Sequence, residues 1–481
     1  MYSATPKSAS KESRRKRCCA KFWKRNFAYL TIVNWLPAYS FKNSFLKDLV
    51  SGITVGVMAV PQAMSYATVA GLPPIYGLYN AFIGMLPYPF FGTSPHLISG
   101  PTAVMSILVN GIIPAHPMED MSVVTNNQVC TDTGPGTGPD SLGCHVRIQM
   151  ALTLSFLAGV IQILFGLFGL GFLTNLISEP IIIGFTTGSA FLIAGTQITH
   201  VFGIAKCKTG QPCDMGLHVV DTVVNIFANI TKTSWQTLLY GVACLLVLYL
   251  FKYQIRRLVA KTRCAMVGNL GPLVVMLSSI LIMAYTGGRE ALDPSTHTSH
   301  LNHTANHTSH QHAGKPRNDW GIRLVGSVCA LDPNSTSVAH PQCLPAPHWS
   351  MTTSPVPISL LDLKALIGPA IAVVMIGYME SMSIAKTVAR QESPSSGRET
   401  RINPSYELTA LGFCNLACSF FRGYPVTGSF SRTAVNANSG AQSPFAALCA
   451  SLVVGSSLLF LTPALQYTPK VAAILTLTLT P

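Results

Sequence analysis

Long apolar runs alternate with short polar breaks along almost the whole chain. A helical membrane crossing takes about 20 mostly apolar residues. Runs of that kind fall near 49–70, 74–91, 97–113, 149–172, 178–199, 235–251, 268–286, 360–386, 405–422, 429–437 and 444–462, and a partial one starts near 468. Two are abnormal: 97–113 opens on "LISGPTAVMS", and 429–437 is too short to cross a bilayer by itself. Pro61, Pro87 and Pro89 interrupt other runs, which is tolerated where the freed backbone faces protein or a cavity. The pattern predicts an all-α polytopic membrane protein.

Composition agrees. Of 481 residues only 10% are charged, against about 25% in soluble domains. The first 25 residues hold nine Lys or Arg and one acid. Basic flanks stay in the cytoplasm, so the N-terminus is expected inside. A nucleic-acid patch is the other reading of this run, and the membrane-like remainder argues against it. Cys18 and Cys19 beside it are candidates for palmitoylation.

An inside N-terminus puts the loops 114–148, 200–234 and 287–359 outside. The glycosylation sequons at Asn229, Asn302, Asn306 and Asn334 all fall in them. The inside loops are basic: 252–263 carries Lys252, Arg256, Arg257, Lys261 and Arg263 with no acid, and 386–401 adds Lys386, Arg390, Arg398 and Arg401 against two glutamates. Six of 13 cysteines sit in outside loops, two in each. An oxidising exterior permits pairing of Cys130 with Cys144, Cys207 with Cys213 and Cys329 with Cys343. The histidines of "STHTSHLNHTANHTSHQHAG" suggest a metal site, or else a glycosylated tether, since no cysteine or carboxylate joins them. The tether is preferred, with no metal or cofactor expected.

The two abnormal runs resemble each other. "SGPTAVMS" (99–106) and "SFSRTAVN" (429–436) each place small residues before a Thr-Ala-Val helical start. Such correspondence between two halves points to a transporter site where half-helix N-termini meet at mid-membrane. Each terminus carries about half a positive charge and orphan N–H donors, and two converging make an anion site. Ser99, Ser429 and Ser431 offer capping or ligand hydroxyls, and Gly100 and Gly428 allow close backbone approach. Pro101 suits a first helical turn. Arg432 adds a full charge, and an arginine inside a span is a functional candidate. The bland alternatives are a structural Gly–Pro kink and a snorkelling arginine.

Two long stretches carry a family resemblance. "DLVSGITVGVMAVPQAMSYATVAGLPPIYGLYNAFIGMLPYPFFGTSPHLISGPTAVMSILV" (48–109) and "YMESMSIAKTVARQ…INPSYELTALGFCNLACSFFRGYPVTGSFSRTAVNANSGAQSP" (378–444) closely resemble the sulfate permease (SulP) family, solute carrier family 26. The likeness runs from about residue 40 to the chain end. Tyr406 departs from the glutamine of many relatives, and "NLACSFF" lacks a glycine usual before its serine; both lie on the ninth span. The resemblance implies a seven-plus-seven inverted-repeat, uracil-permease-like fold with a core domain moving against a gate domain. On this chain that gives a basic cytosolic segment 1–47, a first repeat of spans one to seven over 48–286, an extracellular glycosylated loop 287–359, and an incomplete second repeat of spans eight to twelve over 360–481. It implies an anion held between the third and tenth spans by Thr102, Ala103, Ser431 and Arg432, with Gln62 and Tyr66 from the first. Gln62 also reads on its own as an amide donor after a proline break, and the pair has an ordinary interhelical alternative.

Glu380 follows a long apolar run in "AIAVVMIGYMESMSIAK". An ionised carboxylate at that depth is disfavoured, which suits a proton carrier; a permanent ion pair with Arg432 or Lys386 is the alternative. By resemblance, a glutamate here matches the proton-coupled members. Relatives continue for two more spans and a cytosolic STAS domain, whereas "LQYTPKVAAILTLTLTP" ends this sequence, so a truncated product with the anion site retained is expected. The expected function is secondary active, elevator-type transport of sulfate with protons across the plasma membrane. Exchange of chloride, bicarbonate or oxalate is an alternative, as is a non-transporting subunit that regulates a full-length relative. The expected partners are an inorganic anion, protons, the bilayer, and a second copy or longer relative in a dimer; no nucleic acid is expected. With no Walker loop, zinc spacing or nucleophile elbow, no enzyme is expected.

Overall fold

The computed structural model describes residues 30–113, 142–172, 184, 187–188, 191, 235–255, 271–285, 360–396, 402–461, 465 and 468–469. A single turn, α1 (Ile32–Trp35), leads into α2 (Phe41–Val69), α3 (Pro74–Met85) and the short α4 (Tyr88–Phe91). A two-residue strand, β1 (Ser99–Gly100), precedes α5 (Ala103–Ile112), and α6 (Leu142–Leu167), α7 (Trp235–Tyr249) and α8 (Gly271–Tyr285) follow. Then come α9 (Leu360–Ser396), α10 (Pro404–Phe420), β2 (Thr427–Gly428), α11 (Phe430–Asn438) and α12 (Phe445–Phe460).

Among the described residues, Phe41–Val69, Arg147–Leu167 and Lys364–Arg390 are long and apolar enough to cross a membrane. Proline sets several boundaries. Pro74 opens α3 and Pro404 opens α10, where a fixed φ suits the first turn. Pro87 and Pro89 divide the expected run 74–91 into α3 and α4. Pro61 is carried inside α2. The eighth span was expected over 360–386, but α9 continues to Ser396. Hydropathy marks where a chain leaves lipid; a helix stops only where its backbone geometry is broken.

Small residues bring the helices together, since in lipid close packing replaces the push from water. A Cβ on Gly159 of α6 would come 2.7 Å from the Leu416 nitrogen of α10, and one on Gly412 would come 2.7 Å from Ile163. Gly52 and Gly56 bring α2 at least as close to α12. One apolar core joins α2, α3 and α12; a second joins α2, α5, α6 and α9. Two buried carboxylates fasten loops to helix starts. Asp48 accepts from the Gln442 N–H at 2.6 Å and the Ser443 hydroxyl at 2.6 Å. Glu407 accepts from the Tyr88 hydroxyl, both the N–H and the hydroxyl of Thr93, and the Ser94 N–H.

Most of the expected fifth span (178–199), with Asn229, Asn302, Asn306 and Asn334 and the histidine-rich loop, falls outside the described residues. So do Cys130, Cys207, Cys213, Cys329, Cys343 and the side chain of Cys144. Cys244, Cys414, Cys418 and Cys449 are buried free thiols.

Candidate functional site

The two abnormal runs cross. β1 and β2 pair antiparallel, Ser99 opposite Gly428 and Gly100 opposite Thr427. α5 and α11 start just beyond the pair, so two helix N-termini depart from one point. Extended backbone at membrane depth must find every hydrogen bond inside the protein, and side chains supply them. Thr433 Oγ1 accepts the Ile98 N–H at 3.1 Å, and the Asn436 amide donates to the His96 carbonyl at 2.9 Å. Asn415 of α10 brackets Val426, accepting its N–H at 2.6 Å and donating to its carbonyl at 3.1 Å.

Thr102 caps α5, its hydroxyl accepting the Met105 N–H at 3.4 Å. Ser429 stands at the cap position of α11 but makes no side-chain cap bond; its hydroxyl lies 3.4 Å from that of Ser431. The first N–H groups of any helix lack intrahelical acceptors; at α5 the Thr102 hydroxyl takes one of them, and at α11 no side chain caps.

Arg432, on the first turn of α11, is fully buried. Its Nη2 donates to the Pro101 carbonyl at 2.6 Å, while Nε and Nη1 have no hydrogen-bond partner. Buried donors are nearly always satisfied, and each exception calls for an explanation. Gly100 is required here twice over: its φ is +148°, and a Cβ would come 3.1 Å from Arg432 Nη2.

Around the guanidinium, Tyr66 of α2 packs on Ala103 of α5. Tyr66, Tyr424 and Glu380 all lie within electrostatic range of Arg432. Gln62, one turn before Tyr66, is fully buried. Glu380 of α9 accepts from the Thr102 hydroxyl at 3.5 Å, so it faces the start of α5. Ser99 behaves differently: its hydroxyl donates to the Gly84 carbonyl and lies 3.7 Å from Cys414 Sγ. That side chain serves packing against α3 and α10.

Sequence reading passed over Ser381, Thr427, Ser106 and Tyr424. The Ser106 hydroxyl donates to the Thr102 carbonyl at 2.8 Å and lies 3.2 Å from the Tyr424 hydroxyl. A signal for Ser381 was present, since Gly377, Glu380 and Ser381 have the spacing of one helical face.

The sulfate permease family model matches residues 45–480. The chain belongs to the sulfate permease family. It is 33% identical over 448 residues to the sodium-independent sulfate anion transporter of Bos taurus, covering 92% of this chain and 62% of that protein. It is 30% identical over 438 residues to the chloroplastic sulfate transporter 4.1 of Arabidopsis thaliana, covering 91% of this chain and 52% of that protein. Prestin of Danio rerio is 29% identical over 454 residues, covering 94% of this chain and 52% of prestin. The chain thus spans between half and two thirds of the length of these curated relatives. In fold it is similar to the murine solute carrier 26 family member A9 anion transporter in the inward-facing state, with a TM-score of 0.68 at 24% identity, covering 94% of this chain and 62% of that one. It is also similar to the transmembrane domain of a cyanobacterial bicarbonate transporter, with a TM-score of 0.58 at 19% identity, covering 91% of this chain and 89% of that one. The sulfate permease family is made of membrane transporters, not enzymes, and the chain is a helical, multi-pass membrane protein of that fold.

Proposed function

We propose that this chain carries an inorganic oxyanion, sulfate first, across a membrane by alternating access, with a proton travelling on Glu380. The observation that carries the reading is Arg432: fully buried, with two guanidinium nitrogens unpartnered, at the crossing of two helix starts. A buried cation left unsatisfied by protein is costly, and a bound anion removes that cost. The anion is proposed to sit among Gln62, Tyr66, Thr102, Ala103, Ser431 and Arg432, with the backbone of Gly100 and Ser429 at the rim. No bond is formed or broken.

Glu380 supplies the coupling. Ionised, it offsets the charge of Arg432 and repels a divalent anion; protonated, it lets one in. Sulfate and proton therefore enter together. The similarity to named sulfate transporters supports this choice of anion. The basic flanks support a cytoplasmic N-terminus, and the plasma membrane is the membrane proposed. An inverted-repeat core moving against a gate, and assembly as a dimer, belong to the same reading.

The test is the chain alone in sealed vesicles with labelled sulfate. Uptake accelerated by an inward proton gradient is expected. Gradient-independent exchange against chloride, bicarbonate or oxalate would replace proton coupling with exchange. No uptake, together with tight association with a longer relative, would replace transport with a regulatory role.

A further inference from the structure

One face of α9 holds both helix starts. Gly377, Glu380 and Ser381 stand at i, i+3 and i+4, which places them side by side on a helix. Gly377 leaves room for both runs: a Cβ there would lie 3.0 Å from Met105 of α5 and 3.5 Å from Thr427 of β2. Its carbonyl accepts from the hydroxyls of Thr427 at 2.6 Å and Ser381 at 2.8 Å. Glu380 meets the cap of α5 through Thr102 at 3.5 Å. Ser381, fully buried, accepts the Gly428 N–H at 2.8 Å and lies 2.7 Å from the Thr427 hydroxyl. Adjacent side chains of one helix therefore grip opposite members of the crossing. The Ser381 grip is short and multiple, and it does not titrate. The Glu380 grip is a single long contact that changes character with protonation.

We infer that Ser381 is the positioning residue for proton–anion coupling: by fixing β2, and with it the start of α11, to α9, it holds Arg432 in register with Glu380. This rests on the reading of Glu380 as proton carrier. The coupling depends on geometry because Glu380 and Arg432 share no direct hydrogen bond and act on each other through space. Other groups facing Glu380 are few. Arg432 comes from α11 and Tyr66 from α2; α5 contributes the Thr102 hydroxyl, and the residues of β2 do not titrate. Lys386 and Arg390 lie further along α9 itself. If β2 drifts from α9, Arg432 moves relative to Glu380, and protonation is no longer felt by the anion. Linkage makes this measurable: the factor by which a proton raises anion affinity equals the factor by which the anion favours the proton.

The experiment is equilibrium binding of labelled sulfate to the full chain in lipid nanodiscs, at acidic and at neutral pH, read as the ratio of the two affinities. The wild type is expected to bind at least about tenfold more tightly in acid, within the usual span of coupling factors. Ser381→Ala is expected to cut that ratio below about threefold, with neutral-pH affinity changed less than the ratio. Ser381→Thr, which keeps the hydroxyl, is expected to restore it. Thr427→Val leaves the Gly428 bond to Ser381 in place; it is expected to lower the ratio by a smaller factor, and it serves if Ser381→Ala fails to assemble. Glu380→Gln separates the two ideas. A wild type with equal affinities overturns both the proton reading and this inference. If the wild type is acid-dependent and Glu380→Gln is flat, but Ser381→Ala keeps the full ratio, the inference alone falls. A Ser381→Ala protein weakened equally at both pH values also overturns it, because that is the mark of a merely structural role.

Discussion

Replacing Arg432 with glutamine separates a ligand from a structural strut, because the two roles predict opposite signs. The substitution removes Nε and Nη1, which have no hydrogen-bond partner in the protein, and the Nη2 bond to the Pro101 carbonyl at 2.6 Å. Hydrogen bonds to charged groups contribute about 1.5–3 kcal/mol each, so two donors aimed at an anion supply about 3–6 kcal/mol. A glutamine amide recovers part of that, leaving a loss of about 2–4 kcal/mol, or about 30- to 700-fold in Kd at about 1.4 kcal/mol per factor of ten. Without anion the sign reverses. Each of the two unfilled buried donors costs about 1–3 kcal/mol, against about 1.5–3 kcal/mol for the lost Pro101 bond. The anion-free variant is therefore expected to be as stable as the wild type or more so. Thermal unfolding in detergent, with and without sulfate, reads both quantities. Sulfate at about 100 times the wild-type Kd stabilises the wild type by about 2.7 kcal/mol, whereas Arg432→Gln, about 30- to 700-fold weaker, gains about 0.9 kcal/mol or less. A variant that melts well below the wild type without sulfate, yet keeps the sulfate-induced shift, refutes the reasoning.

The other predictions concern the same crossing and its supports. Uptake by the wild type rises as pH falls, because sulfate and proton enter together; Glu380→Gln, locked in the uncharged form, gives a flat pH profile, and a variant still accelerated by acid contradicts the carrier role. Gly100→Ala adds a side chain at φ +148° and 3.1 Å from Arg432; strain of about 1–3 kcal/mol should lower sulfate affinity while the protein still reaches the membrane, and unchanged affinity counts against it. Glu407→Ala strands the donors of Tyr88, Thr93 and Ser94; each buried donor left unsatisfied costs about 1–3 kcal/mol, so the melting temperature falls and monodisperse protein is lost.

Among the described residues, the helices under the apolar runs and both broken helices were legible in the sequence, because a bilayer demands long apolar runs and a run too short to cross stands out. Arg432 and Glu380 stood out likewise, since charge at that depth is rare. The direction of a small side chain was not legible. Ser99 and Ser429 look equivalent in their motifs, yet Ser99 turns to Gly84 while Ser429 stays beside Ser431. Strand pairing at β1 and β2 decides that, and pairing joins residues more than three hundred positions apart. Ser381 was hidden for the same reason: its partners, Thr427 and Gly428, belong to another segment. The length of α9 was underestimated because polar residues that end a hydropathy run do not end a helix.

Selenate has the shape and charge of sulfate and scatters anomalously. Crystals of this protein grown with selenate should show one strong anomalous peak where the starts of α5 and α11 meet, within hydrogen-bonding distance of Arg432 Nε or Nη1. A peak elsewhere, with the Arg432 guanidinium closed by protein groups instead, would contradict the account.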